Sequence, residues 1–175
     1  MNTSHLLPCD ILLYKGSSFT SRLIEWGTAS VYSHVAVVTD QKINLAIESN
    51  TGHQSGVRAV DLRKLDEKVV DVYRAKKEFP FDSAKVISHL VDRLGSPFDW
   101  IGVTGLGLLK VASSLTGFKL LRGYNEFQKD RDYFCSELTY EAFAAGGLDI
   151  VPQVGASDIT SPGDIASSPR IEKIR

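Results

Sequence analysis

The chain has 175 residues and 19.2 kDa, the size of one domain (1–175) that can bury a sizeable core without disulfide or metal staples. A hydrophobic share of 43%, a charged share of 23%, a formal charge of -1 and a pI near 6.4 are those of an ordinary globular protein and exclude a global pull toward nucleic acid or anionic membrane. Two cysteines make no disulfide framework, and His5, His34, His53 and His89 show no ligand spacing, so neither a metal nor a cofactor is expected.

The N-terminus, Met-Asn-Thr-Ser-His-Leu-Leu-Pro-Cys-Asp, has no basic region followed by an apolar stretch of secretory length, which leads us to expect a cytoplasmic protein. Asp10–Tyr14 is a short apolar run after Pro8 that suits a buried strand. Phe19–Trp26 reads as a short helix, with Ser17 or Ser18 as N-cap and Gly27 as its end.

Tyr32–Thr39 is rich in β-branched residues and Ile43–Ser49 alternates, with only Asp40-Gln41-Lys42 between, so a β-hairpin is expected. If the loop centres on Gln41, Thr39 faces Ile43 and His34 faces Glu48 directly, with Cβ atoms about 5 Å apart. A slip of one residue would send the two side chains to opposite faces, and a slip of two would leave them diagonal neighbours.

Gly56–Leu62 and Lys68–Arg74 read as two further strands joined by the charged turn Arg63–Glu67. Phe81–Leu94 is an amphipathic helix by the spacing of Val86, Ile87, Leu90, Val91 and Leu94, closed by Gly95 and Pro97. From Trp100 to Tyr124 the chain is apolar and glycine-bearing, but its longest uncharged run, Trp100–Leu109, is too short to span a bilayer. No integral membrane segment is expected, and this region reads as a buried or groove-lining helix.

Phe134, Leu138, Ala142 and Ala145 then form one apolar stripe that Gly146-Gly147 terminates, which predicts a helix opened by Cys135. Ile150–Ser157 reads as irregular, and Ser161-Pro-Gly-Asp-Ile-Ala as a capped helical turn. Four or five strands in a row with helices around them imply an α+β fold with an antiparallel sheet or half-barrel.

The chemistry concentrates on Cys135. A thiol in the first turn of a helix meets unpaired backbone N–H groups and the positive end of the dipole, which favour a thiolate and can bind a developing oxyanion. Acyl transfer through a thiol needs an imidazole to move its proton and a third group to orient the imidazole. Cys135, His34 and Glu48 are a set that fits.

In order along the chain, Asp10-Ile-Leu, Tyr32-Ser-His-Val-Ala-Val-Val, Ala46-Ile-Glu-Ser, Tyr133-Phe-Cys-Ser-Glu-Leu and Ser161-Pro-Gly-Asp-Ile-Ala-Ser-Ser-Pro resemble the motifs of the circularly permuted NlpC-like branch of the papain-like cysteine hydrolases, the YiiX/YaeF type. In that family the histidine and the third polar residue precede the cysteine helix, as His34 and Glu48 do here. The resemblance implies Cys135 as nucleophile, His34 as general base and acid and Glu48 as orienting group, while Tyr133, two before the cysteine, is either a residue of the cleft or oxyanion site or a packed tyrosine. It implies no cofactor.

Cys9 stands where the family's opening motif has glycine and reads as a structural thiol, while His5, His53 and His89 match no family position and are expected to face solvent. The expected activity is cleavage of an amide bond in a peptide or small amide. Two alternatives stand beside it. One is a lipid-directed acyl hydrolase or acyltransferase with Trp100–Tyr124 as the acyl groove, and the other is a catalytically silent module that binds a peptide or lipid.

Overall fold

The computed structural model describes residues 3–15, 30–51, 55–98, 133–154, 157 and 160–175. The helix expected at Phe19–Trp26, the apolar region Trp100–Tyr124 and His53 lie outside the described residues. The elements in chain order are β1 (Ile11–Lys15), β2 (Tyr32–Asp40), β3 (Leu45–Asn50), β4 (Gly56–Asp61), a 3-10 turn (Leu62–Lys64), β5 (Val70–Ala75), α1 (Ser83–Asp92), α2 (Cys135–Ala145), α3 (Pro162–Ala166) and β6 (Ile171–Lys173).

The strands form one antiparallel sheet in the order β4-β3-β2-β1-β5-β6. This is the α+β architecture expected from the sequence, with an open sheet. The short strand β6 was not anticipated; three residues are too few to carry a readable alternation.

Both faces of the central strands are covered, which is why Ile11-Leu-Leu and Val35-Ala-Val-Val are continuous apolar runs. Ile11, Leu13, Val35, Val37 and Ile47 pack on one face against Val86, Leu90, Leu138, Ala142, Phe143 and Ile165 of the helices. Leu12, Ala36, Val38, Ala46 and Val72 form a second cluster on the other face with Leu6 and Leu62. No helix among the described residues is long and apolar enough to cross a membrane.

The β2–β3 hairpin forms, but two residues out of the expected register: Ala36, not His34, lies opposite Glu48. The cause is a longer loop. Asp40 accepts the Lys42 N–H at 2.8 Å, Asn44 takes a left-handed φ of 60°, and a bulge between Val38 and Asp40 resets the pairing at Asp40 and Leu45. A shift of two preserves the face, so His34 and Glu48 become diagonal neighbours.

Helix α1 buries a narrower stripe than its sequence suggests, since Val86 and Leu90 are buried while Val91 and Leu94 are exposed. Its Val86–His89–Arg93 side runs against α2. Gly146, the C-cap of α2, comes so close that an added Cβ would sit 2.5 Å from Val86 Cγ2 and 2.9 Å from the Asp82 carbonyl oxygen. His89 is therefore not solvent-facing: its side chain is 13% exposed and its Nε2 lies 3.7 Å from Glu141 of α2. On α2 itself Phe143 fills the core, whereas Ala145 is exposed.

Candidate active site

Strand β3 supplies two neighbouring side chains that alternation sends to opposite faces. Glu48, 4% exposed, accepts a hydrogen bond from His34 Nε2 on its Oε2 at 2.7 Å. Its Oε1 accepts from Arg58 Nε at 3.0 Å, from Arg58 Nη2 at 2.8 Å and from Asn50 Nδ2 at 3.0 Å. Ser49 points the other way and donates its hydroxyl to the Tyr133 carbonyl at 2.5 Å.

Arg58 and Asn50 escaped the sequence reading. Arg58 stands directly across β4 from Glu48, and Asn50 is two residues along the same strand, so both share its face. The readable signal was an opposite charge at the paired position of the next strand.

The start of α2 is fixed from several sides. Phe134, its N-cap, has no side chain that caps the first turn, and the Phe134 N–H donates to the Glu137 carboxylate at 3.3 Å. The Tyr133 N–H donates to the Pro97 carbonyl at 3.0 Å, and the Ser136 hydroxyl donates to the Thr160 carbonyl at 2.7 Å. Arg93, the C-cap of α1, donates to the Tyr133 hydroxyl at 3.2 Å and lies over its ring at 5.6 Å. Tyr133 is thus a packed and hydrogen-bonded anchor, 8% exposed, at the base of the helix that opens with Cys135.

Cys135, partly exposed, is the first residue of α2 and interacts through its side chain with His34. With Nε2 bonded to Glu48, Nδ1 is the imidazole nitrogen left for the thiol. The structure therefore brings Cys135, His34 and Glu48 together in the order thiol, imidazole, carboxylate. A β-bulge between Tyr14 and Lys15 lies immediately beside the Tyr14–His34 pair, where β2 meets the start of α2.

The electrostatics couple the three. Burial opposes the charged form of His34, but the electrostatic interaction with Cys135 and hydrogen bonds to Cys135 and Glu48 outweigh it and raise the imidazole above its ordinary value. For Glu48 burial again opposes charge, and the bonds from His34, Arg58 and Asn50 overcome it and hold the carboxyl well below the usual carboxylate range.

The other sequence candidates lie elsewhere. Asp10 is fully buried and forms a two-bond ion pair with Arg74, at 2.6 Å to Nε and 2.7 Å to Nη2, while accepting the Leu7 N–H at 2.8 Å. It ties the N-terminal turn to β5. Cys9 takes a left-handed φ of 68°, a conformation that favours glycine, and is 2% exposed. Burial, and then the charge of Asp10, push its thiol up to about 12. His5 is exposed.

No family model matches the chain, and no curated protein sequence matches it. Among solved structures it is similar to the crystal structure of the metalloprotein YiiX from Escherichia coli O157:H7, with a TM-score of 0.65 and 16% identity over 96% of each chain. At that identity the likeness establishes the fold: this chain has the papain-like α+β architecture of YiiX along almost its whole length.

Proposed function

We propose that the chain is a cysteine hydrolase of the circularly permuted NlpC-like kind, cleaving an amide bond through an acyl-enzyme on Cys135. One observation carries the reading. His34 is bonded on one side to a buried, arginine-clamped carboxylate and on the other interacts with a thiol at the first residue of a helix. A structural histidine needs neither partner in particular, whereas thiol acyl transfer uses both.

In the proposed cycle the Cys135 sulfur attacks the carbonyl carbon, and the carbonyl π pair moves onto oxygen. Collapse of the tetrahedral intermediate breaks the C–N bond while His34 gives its proton to the leaving amine. Water then gives a proton to His34 and attacks the thioester; the C–S bond breaks, releasing the carboxylic acid and restoring the thiolate and imidazolium. Glu48 orients the imidazole and balances its charge throughout, and the N–H groups of the first turn of α2 face the developing oxyanion.

YiiX is named a metalloprotein. Among the described residues of this chain, no three His, Cys, Asp or Glu side chains converge as a metal-holding group, and both Glu48 oxygens already serve His34, Arg58 and Asn50. These residues do not fit a resident metal.

The test is iodoacetamide alkylation of Cys135 against pH, with Cys9 as internal control, in wild type and in His34→Ala, followed by a screen of peptide and amide substrates. Fast modification that persists to about pH 6 and disappears in the mutant is expected. A Cys135 that reacts with the midpoint of a free thiol, about 8.5, would remove the basis of the reading.

A further inference from the structure

Tyr14 adjoins the candidate site, and no step of the proposed cycle uses it. Strands β1 and β2 pair so that Tyr14 stands directly opposite His34, and the two rings lie 5.0 Å apart between centroids at an interplanar angle of 55°. The bulge follows at the next position, where Lys15 pairs with Tyr32, so this is the last pair of the ladder before the register shifts.

The phenol oxygen is buried and has no hydrogen-bond partner among the described residues. A buried hydroxyl in that condition costs stability, so the side chain is held by its ring. The ring packs against the Leu12, Ala36 and Val72 cluster beneath the sheet and against the imidazole. Burial, followed by the charge of Glu48, raises the phenol above its ordinary value, with Arg58 opposing. Those influences put the hydroxyl within electrostatic reach of the carboxylate and its arginine.

We infer that the ring of Tyr14 is a positioning group for His34, covering the His34–Glu48 hydrogen bond against water and keeping the imidazole turned toward Cys135. The inference rests on the hydrolase reading. The need is physical: Glu48 is 4% exposed but His34 is 18% exposed, so the imidazole is the side from which water can compete for the bond. A hydrogen bond opened to water weakens as the local dielectric rises, and an imidazole that rotates loses both partners at once. The groups facing His34 are Glu48 of β3, with Arg58 of β4 behind it, Cys135 of α2 and Tyr14 of β1. Among the described residues Tyr14 alone contributes a flat apolar face.

The experiment compares Tyr14→Phe, Tyr14→Leu and Tyr14→Met in the full chain, reading the pH–rate profile of Cys135 alkylation by iodoacetamide together with the thermal midpoint. Tyr14→Phe keeps the ring and is expected to hold the wild-type profile, with a midpoint unchanged or raised by about 2–4 °C because an unpaired buried hydroxyl is gone. Tyr14→Leu and Tyr14→Met remove the flat face and are expected to slow alkylation near pH 6 by about tenfold, equivalent to one unit in the pKa of the reacting pair. Met fills the site flexibly, so it supplies the reading should the Leu variant fail to fold.

A wild-type profile in a folded Leu or Met variant overturns the inference. So does a Phe variant as slow as those two, because the hydroxyl would then be the acting group. His34→Ala separates the two levels of failure. If wild type is no faster than His34→Ala, the hydrolase reading falls and this inference with it; if wild type is faster while the Tyr14 variants match it, only the role of Tyr14 falls.

Discussion

Ser49 donates its hydroxyl to the Tyr133 carbonyl at 2.5 Å, and this bond joins the strand that carries Glu48 to the residue two positions before Cys135. Because alternation sends Glu48 and Ser49 to opposite faces, β3 holds the imidazole with one side chain and anchors the Cys135 helix with the next. A displacement of this strand moves both halves of the candidate site together.

Removing that hydroxyl tests the coupling. Ser49 is fully buried, so Ser49→Ala leaves the Tyr133 carbonyl without its donor and is expected to cost about 1–3 kcal/mol. Alkylation of Cys135 is expected to slow as well. Urea denaturation measures the first effect and peptide-resolved alkylation the second; a destabilised protein with wild-type Cys135 reactivity would show that the bond holds the fold but not the site.

The charge network gives Glu48→Gln a distinctive pH dependence. The folded carboxyl of Glu48 lies below its unfolded value of about 4.3, so its contribution is present above that pH and is lost as pH falls through the folded value. The folded imidazole of His34 lies above its unfolded value of about 6.5, so its contribution is complete below that pH and is lost as pH rises through the folded value. The substitution leaves Arg58 and a protonated His34 facing a neutral amide, and about 3 kcal/mol of destabilisation is expected near pH 6. That penalty should shrink steadily below about pH 4.3. Guanidinium titrations of both proteins at pH 6 and pH 3 check it, and an equal penalty at the two pH values would contradict the network.

Cys9 offers an internal gauge of global opening. A thiol that is 2% exposed and pushed up to about 12 presents almost no thiolate at neutral pH. Its alkylation in the native protein is expected to require unfolding, so its rate should climb with urea in step with loss of the far-ultraviolet signal, while Cys135 reacts before the transition. A Cys9 that reacts in the absence of denaturant would show that the turn before β1 opens on its own.

The approach of the two longer described helices is equally testable. The Cβ that Gly146→Ala introduces would meet Val86 Cγ2 at 2.5 Å and the Asp82 carbonyl oxygen at 2.9 Å. One of these contacts is with backbone and does not move aside easily. A loss of about 1–3 kcal/mol is expected in equilibrium unfolding, typical of overpacking in a tight core.

The His34–Glu48 contact was legible because a period of two forgives an error of two: the loop was read too short, yet both side chains stayed on one face and their lengths closed the diagonal. The Cys135 helix was legible from its stripe and its glycine stop. Arg58 and Asn50 were not, because they become partners of Glu48 only once the β3–β4 register is known. His89 was misplaced for a different reason. It belongs to the Val86–Arg93 side of α1, and which side of a helix meets another helix depends on a packing partner far along the chain.

The order of the elements also has a consequence for synthesis. The strands that hold His34, Glu48 and Arg58 precede the Cys135 helix in the chain, so they leave the ribosome before the thiol exists. The imidazole and its carboxylate can settle into their ion-paired arrangement while there is nothing for them to activate. Cys135 gains its partner only when this later segment docks on the earlier strands, so the candidate site is completed after the His34–Glu48–Arg58 network has its residues in place.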